Sequence, residues 1–253
     1  MGQKTLIDPG PIETGRYRAR LARMPDDLDR ALILRARLFR GDPDATDRDR
    51  FDVLCRHLLV EDRATGTVLC TCRLMELTDG TEIGQSYAAQ VYDLAPLAGC
   101  AGPMLEIGRF CIAPELRDAD VMRLAWAALA RIVTTERVEM LFGCTSFAGT
   151  DAGPYLDAFS SLHALHLAPP SWRPRVKAPD VVRFAGLSVT ATDPKRAQST
   201  MPPLLRSYLR MGGRVSDHAV RDHDLGTLHV FTGLEVGRVP AARRRALTAV
   251  AGG

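Results

Sequence analysis

Two charged residues inside an apolar run are the first place to look for chemistry in this chain. The stretch MLEIGRFCIA, residues 104–113, has the length and β-branched content of a buried strand, yet it carries Glu106 and Arg109. A charge taken out of water must be paired or used. Desolvation strengthens a carboxylate as a base, and a neighbouring guanidinium opposes that. Glu106 is therefore a candidate general base. The same spacing also fits a structural ion pair, or two charges each paired elsewhere. A second set is Asp49 and Asp52 in a polar loop, with Arg73 on an apolar strand. A buried arginine can clamp a carboxylate with two parallel hydrogen bonds. Loop aspartates also cap turns or face solvent, so this set too has a purely structural reading.

Other reactive residue types carry less. The chain has six cysteines and no CxxC pair. Cys70 and Cys72 share one face of a strand and read as small apolar groups, with no disulfide framework. His163 and His166 lie three apart on a helix with no acid at metal-ligand spacing. Asp217, His218, Asp222, His223 and Asp224 read as a solvated hairpin turn. No metal site is expected.

The elements that must position these groups follow from periodicity. Residues 1–15 are rich in Gly and Pro and read as a flexible start. Residues 17–22 read as a strand. Pro25 with Asp26 and Asp27 opens a helix that runs to about Arg40. A polar loop spans 41–50, and residues 51–54 continue it. Strands over 57–61 and 67–77 flank a turn at 63–66 and form a hairpin. An irregular connection spans 80–102. The central strand follows, then a helix over 118–137 that is apolar on nearly every side and so buried. A strand over 138–147, a helix near 154–167, an extended stretch over 169–177 and a helix over 202–211 come next. One or two strands over 215–236 and a short helix over 240–250 complete the chain. This order predicts a mixed α/β domain on a central sheet.

With 253 residues, 46% of them hydrophobic and 25% charged, the composition is that of a globular protein with a real core. A net charge of +3 gives no case for nucleic acid, and no groove-reading motif is present. No secretion signal or membrane-spanning run is visible. The expected location is the cytoplasm, with peripheral contact with the anionic inner membrane left open.

The order of elements, with an acid and an arginine on the strand before a buried helix, resembles the GNAT acyltransferase fold. Within it, the chain resembles the branch that takes acyl groups from acyl carrier protein, including acyl-homoserine lactone synthases. It is most similar to the L-ornithine N-α-acyltransferases. The pieces that carry the resemblance are RARLFR, FDVLCRHLLVED, LEIGRFCI, GCTSFAGTD, LHLAPPSWRPR and MPPLLRSYLRMGGRV, in that order over about residues 30–215. The resemblance implies a GNAT-like core over 16–185 and a C-terminal extension over 186–253. It implies transfer of a 3-hydroxy fatty acyl group from acyl carrier protein to the α-amine of L-ornithine, giving lyso-ornithine lipid.

In that reading Glu106 and Arg109 are catalytic. Arg37, Phe39, Asp49, Asp52 and Arg73 shape the acceptor side. Phe110, Cys111, Ile112, Arg117 and Arg123 lie on the donor side, with backbone N–H groups near 110–112 meeting the oxyanion. The cofactor is none beyond the acyl-phosphopantetheine of the carrier. Cys111 is not expected to act as a nucleophile. A lactone synthase, another amino-acid N-acyltransferase and a non-catalytic carrier-binding module remain the alternatives. One departure stands out. The glycines of a CoA-binding loop are missing, and Asp118 and Asp120 occupy the start of the helix. Negative charge there opposes a pyrophosphate. Arg123, Arg131 and Arg137 on one helix, and Arg173, Arg175 and Lys177 beyond it, are the expected basic patches for an acidic carrier.

Overall fold

A computed structural model describes residues 8–42, 44–116, 118–187 and 193–251. In chain order the strands and helices are β1 (Ile12–Thr14), β2 (Tyr17–Leu21), α1 (Pro25–Arg35), β3 (Arg56–Asp62), β4 (Val68–Leu77), β5 (Tyr92–Asp93), β6 (Met104–Ile112), α2 (Ala119–Thr135) and β7 (Met140–Ala148). Then come α3 (Leu156–Leu165), β8 (Arg175–Val176), β9 (Val181–Arg183), α4 (Pro194–Thr200), α5 (Pro203–Arg210), β10 (Arg214–Asp222), β11 (Thr227–Glu235) and α6 (Ala241–Ala251). The architecture is mixed α/β with mostly antiparallel strands, as the order of elements predicts. Four short elements have no counterpart in the periodicity: β1, β5, β9 and α4. Each is under eight residues, too short to show a period.

The chain divides into two compact units. The first comprises residues 1–76, 107–138 and 240–253. Its strands run in the order β1-β2-β3-β4-β6, antiparallel from β1 to β4. Helix α2 lies over β1, β2 and β3, and α6 packs on α2. The all-round apolar sequence of α2 is explained by this placement: Val121, Leu124, Ala125, Ala127 and Leu129 are all fully buried. Helix α1 begins where expected, because Asp27 accepts hydrogen bonds from the backbone N–H groups of Arg23 and Met24. After Arg35 the helix widens into one π-helical turn over Ala36–Arg40 and stops at Gly41, whose φ of 69° suits glycine.

The second unit comprises residues 77–106 and 139–239. Its strands run β7-β11-β10-β9, all antiparallel, and Met104–Glu106 of β6 pairs in parallel with Met140–Phe142 of β7. One apolar cluster joins Phe147, Phe159, Leu162, Phe184, Leu205, Val215 and Leu228. A second group of rings, Tyr92, Phe142, Trp172 and Phe231, stacks around Phe231. The irregular connection over 80–102 folds as three short 3₁₀ turns. Gly80 is required there, since a Cβ would sit 2.2 Å from the Leu97 carbonyl oxygen.

Candidate active site

Glu106 sits near the start of β6 and is buried, at 4% exposure. Its two oxygens each accept a backbone N–H, from Tyr87 and from Ala88, at 2.8 Å. Those two residues open the 3₁₀ turn Ala88–Gln90, so the carboxylate receives the donors that such a turn leaves unsatisfied. Arg109, three residues on, pairs within the first unit. Its Nε donates to Asp47 Oδ2 at 3.0 Å, and its Nη2 lies 3.5 Å from Asp49 Oδ2. The two charges of the central strand are thus each paired elsewhere. Arg109 adopts a left-handed backbone with φ of 51°, a conformation that costs a non-glycine residue about 1–2 kcal/mol. Its guanidinium also lies over the Phe39 ring, 5.5 Å from the centroid.

Around Asp47 the first unit gathers a dense charge network. Arg35 is 1% exposed and binds Asp47 through Nε at 2.9 Å and Asp52 through Nη1 at 2.6 Å. Arg73 is 2% exposed and its Nη1 donates to Asp49 at 2.6 Å and to Asp52 at 3.2 Å. Arg40 adds a bond to Asp47 at 3.2 Å. Four guanidiniums (35, 40, 73, 109) meet three carboxylates (47, 49, 52) there. Asp47 and Asp52 have no exposed side-chain surface, whereas Asp49 is 26% exposed. Gly108 allows the close approach of Arg73, whose Nε would lie 3.1 Å from a Cβ at that position.

The electrostatics follow from burial and pairing. Burial pushes the Asp52 carboxyl upward, but the Arg35 bond, the Asp49 backbone N–H and the Arg35 and Arg73 charges together hold it below its ordinary value. His57, buried beside them, is held neutral chiefly by desolvation. Its Nε2 bonds the Asp52 carbonyl oxygen at 3.0 Å, and since a carbonyl only accepts, that nitrogen carries the proton.

The expected site residues are thus distributed unevenly. Asp49, Asp52, Arg73, Arg109 and Phe39 come together. Arg37 does not: it points outward to an exposed pair with Glu115. Arg35 occupies the buried place instead, joined by Asp47, Arg40 and His57. The missed signal for Arg35 is its spacing, four residues after buried Ala31 on the apolar side of α1. Asp47 has no such signal in a loop full of aspartates.

Of the donor-side residues, Phe110 stacks on Trp126 and Cys111 is buried among Ala31, Leu59 and Val68. Burial pushes the Cys111 thiol up to about 12, so it carries no thiolate near neutrality. Ile112 ends β6, half-buried. Arg123 pairs with Asp120 on the exposed face of α2, and Arg117 lies outside the described residues. Asp118 caps α2 by accepting the Asp120 N–H at 2.8 Å and also accepts the Tyr17 hydroxyl.

One expectation needs correction. The histidine and aspartate cluster over 217–224 is not one solvated turn. Asp217 and His218 lie inside β10, and His218 is fully buried with Nδ1 on Asp217. Only 223–226 form the turn. Several residues of the two expected basic patches also bond to backbone carbonyls, which leaves their charges in place. Arg131 donates to the carbonyls of Pro9 and Pro11, Arg173 to that of Ala168 and Lys177 to that of Ala89. Arg137 leaves the helix with a φ of 52°. Among the described residues no three of His, Cys, Asp and Glu gather as around a metal ion. No helix among them is long and apolar enough to cross a membrane.

Comparison with known proteins places this geometry in a family. A model of the acetyltransferase (GNAT) domain matches residues 34–127. The L-ornithine N(alpha)-acyltransferase of Rhodobacter capsulatus is 35% identical over 190 residues, 73% of this chain and 73% of that protein. That of Brucella abortus is 32% identical over 201 residues, 76% of this chain and 71% of its own length. Among solved structures, FeeM, an N-acyl amino acid synthase from uncultured soil microbes, aligns with a TM-score of 0.52 at 12% identity, covering 91% of this chain and 99% of that one, a likeness of fold. With two such relatives matched over more than two thirds of their length, the chain belongs to the L-ornithine N(alpha)-acyltransferases.

Proposed function

We propose that the chain moves a 3-hydroxy fatty acyl group from acyl carrier protein to the α-amine of L-ornithine and so forms lyso-ornithine lipid. The observation that carries this reading is Glu106, a carboxylate buried in a strand with both oxygens held by backbone N–H groups. It removes a proton from the ornithine ammonium, directly or through a water. The free amine attacks the thioester carbonyl. Negative charge develops on that oxygen, and backbone N–H groups near Phe110–Ile112 are the donors assigned to it. The C–S bond then breaks, the attacking nitrogen gives its second proton to the departing carrier thiolate, and Glu106 returns the first proton to water. No covalent enzyme intermediate is needed, which agrees with the buried, protonated Cys111.

Acceptor recognition is assigned to the charge network. Arg73 and Arg109 are the guanidiniums assigned to the ornithine carboxylate, since a guanidinium matches a carboxylate with two parallel hydrogen bonds. Asp49, the partly exposed carboxylate, suits the side-chain ammonium. Capping of α2 by Asp118 supports a carrier-bound donor over a free dinucleotide-like one, because the N–H of Asp120 is already taken. The donor arm is the carrier's phosphopantetheine. The product is an amphiphile, and α6 exposes Arg243, Arg244 and Arg245, which suits a cytoplasmic enzyme in surface contact with an anionic membrane.

The test is release of free thiol from 3-hydroxyacyl carrier protein across a panel of amino acids and S-adenosylmethionine. Ornithine should be preferred, and Asp49→Ala should lose that preference while other amines react as before. Release with S-adenosylmethionine alone would make the chain a lactone synthase. Carrier binding with no release for any acceptor would make it a non-catalytic module.

A further inference from the structure

We propose that the outer face of α5, with the start of β10, is the docking surface for an acidic carrier protein. The inference rests on the carrier-bound donor assigned above and names a surface for it within the second unit. Residues 194–216 contain five basic residues (Lys195, Arg196, Arg206, Arg210, Arg214) and no acidic one. Arg206 and Arg210 are four apart on α5 and so share one side of the helix.

The fold anchors two of these arginines on neighbouring helices of the same unit. Arg206 Nη1 donates to the Gln198 carbonyl of α4 at 3.1 Å. Arg214 Nη1 donates to the Leu165 carbonyl at the end of α3 at 2.8 Å. His166 lies close enough to Arg214 for that charge, after burial, to help hold it neutral. These arginines bond to backbone carbonyls rather than carboxylates, so their positive charge is not cancelled. Arg196, by contrast, is paired with Asp157.

The occupant is a protein rather than a bilayer. An interfacial helix inserts its apolar side into lipid. The apolar side of α5 is already spent: Leu205 is fully buried and Tyr208 nearly so, and Leu209 packs on the same core cluster. On α5 Arg210 is exposed and Arg206 half-buried. Leu165, whose carbonyl Arg214 binds, is 64% exposed and the one large exposed hydrophobic residue among those described in this unit. A basic face around a single apolar side chain complements an acidic helix.

The experiment titrates fluorescently labelled holo-carrier protein with the full chain at low and high salt. Arg206→Glu/Arg210→Glu should weaken binding by about tenfold or more. Wild-type affinity should fall steeply with salt. Arg243→Glu/Arg245→Glu on α6 serves as a charge-matched control and should bind as wild type. A thermal melt checks folding, and Arg206→Ala/Arg210→Ala replaces the reversal if that variant does not fold. Unchanged binding in the α5 variant, or equal loss in the α6 control, overturns the proposal. So does loss of binding to anionic phosphatidylglycerol vesicles with carrier binding intact, which would assign the face to lipid. If wild type fails to bind any carrier protein yet still acylates ornithine from another thioester, it is the carrier-bound donor that falls.

Discussion

At the scale of single residues, the chemistry turns on which charges have been taken out of water. Glu106→Gln keeps the shape but sets an amide NH₂ against one of two backbone N–H donors. Thiol release should fall by about 10²–10⁴-fold if Glu106 is the base. The clashing donors should also lower the thermal midpoint, since a buried unsatisfied group costs about 1–3 kcal/mol. Activity kept within a few-fold of wild type would remove Glu106 from the reaction. Arg35 and Arg37 offer a cleaner contrast. Arg35→Ala removes buried charge-assisted bonds to Asp47 and Asp52, which keep Arg40, Arg109 and Arg73, and should cost about 1.5–3 kcal/mol in urea unfolding. Arg37→Ala breaks an exposed pair with Glu115 and should cost under about 1 kcal/mol. Cys111→Ala should retain transfer, because the thiol is buried and protonated.

At the scale of elements, two local devices hold the charged residues in place. The first is the cap of α2. Asp118 accepts the Asp120 N–H and the Tyr17 hydroxyl, so it ties the helix start to β2. Asp118→Ala should lower the thermal midpoint by a measurable step, and it should not create use of a CoA thioester, because the glycines of a phosphate loop are still missing. Robust turnover of acyl-CoA by that variant would show that the cap alone excludes the nucleotide donor. The second device is the run from α1 through its π turn to Gly41. The wider turn places Phe39 under Arg109 and Arg40 against Asp47. Periodicity reveals the helix and its apolar side, yet not the change from α to π. That change depends on partners that arrive from the 44–52 loop and from β6.

At the scale of the whole molecule, stability should depend on pH in two steps with one sign. Burial holds His57, His166 and His218 below the ordinary histidine value of 6.5, with the Asp217 and Asp52 contacts only partly opposing it. The unfolded chain therefore binds protons that the folded chain refuses, and stability falls as pH drops from about 7 to 5. Asp52 and Glu61, whose burial is outweighed by their arginines, are held below 3.8 and 4.5, so a second loss follows at more acid pH. Urea midpoints measured from pH 8 to 3 should decline throughout, and His57→Gln should flatten part of the first step. A midpoint that rises between pH 7 and 5 would contradict the burial of these rings. By itself the sequence determined the element order, the burial of α2, the charged central strand and the family, because periodicity, capping and ordered motifs are local or linear properties. Only the tertiary structure decided that Arg109 turns to Asp47 and Glu106 to Tyr87 and Ala88. It also chose Arg35 over Arg37, and buried His218 in a strand. The physical reason is that ion pairing is a competition among partners distant in sequence. Residues 35, 47, 52, 73 and 109 meet only after the sheet and α1 have packed, and a string of arginines and aspartates does not show which charges lose their water.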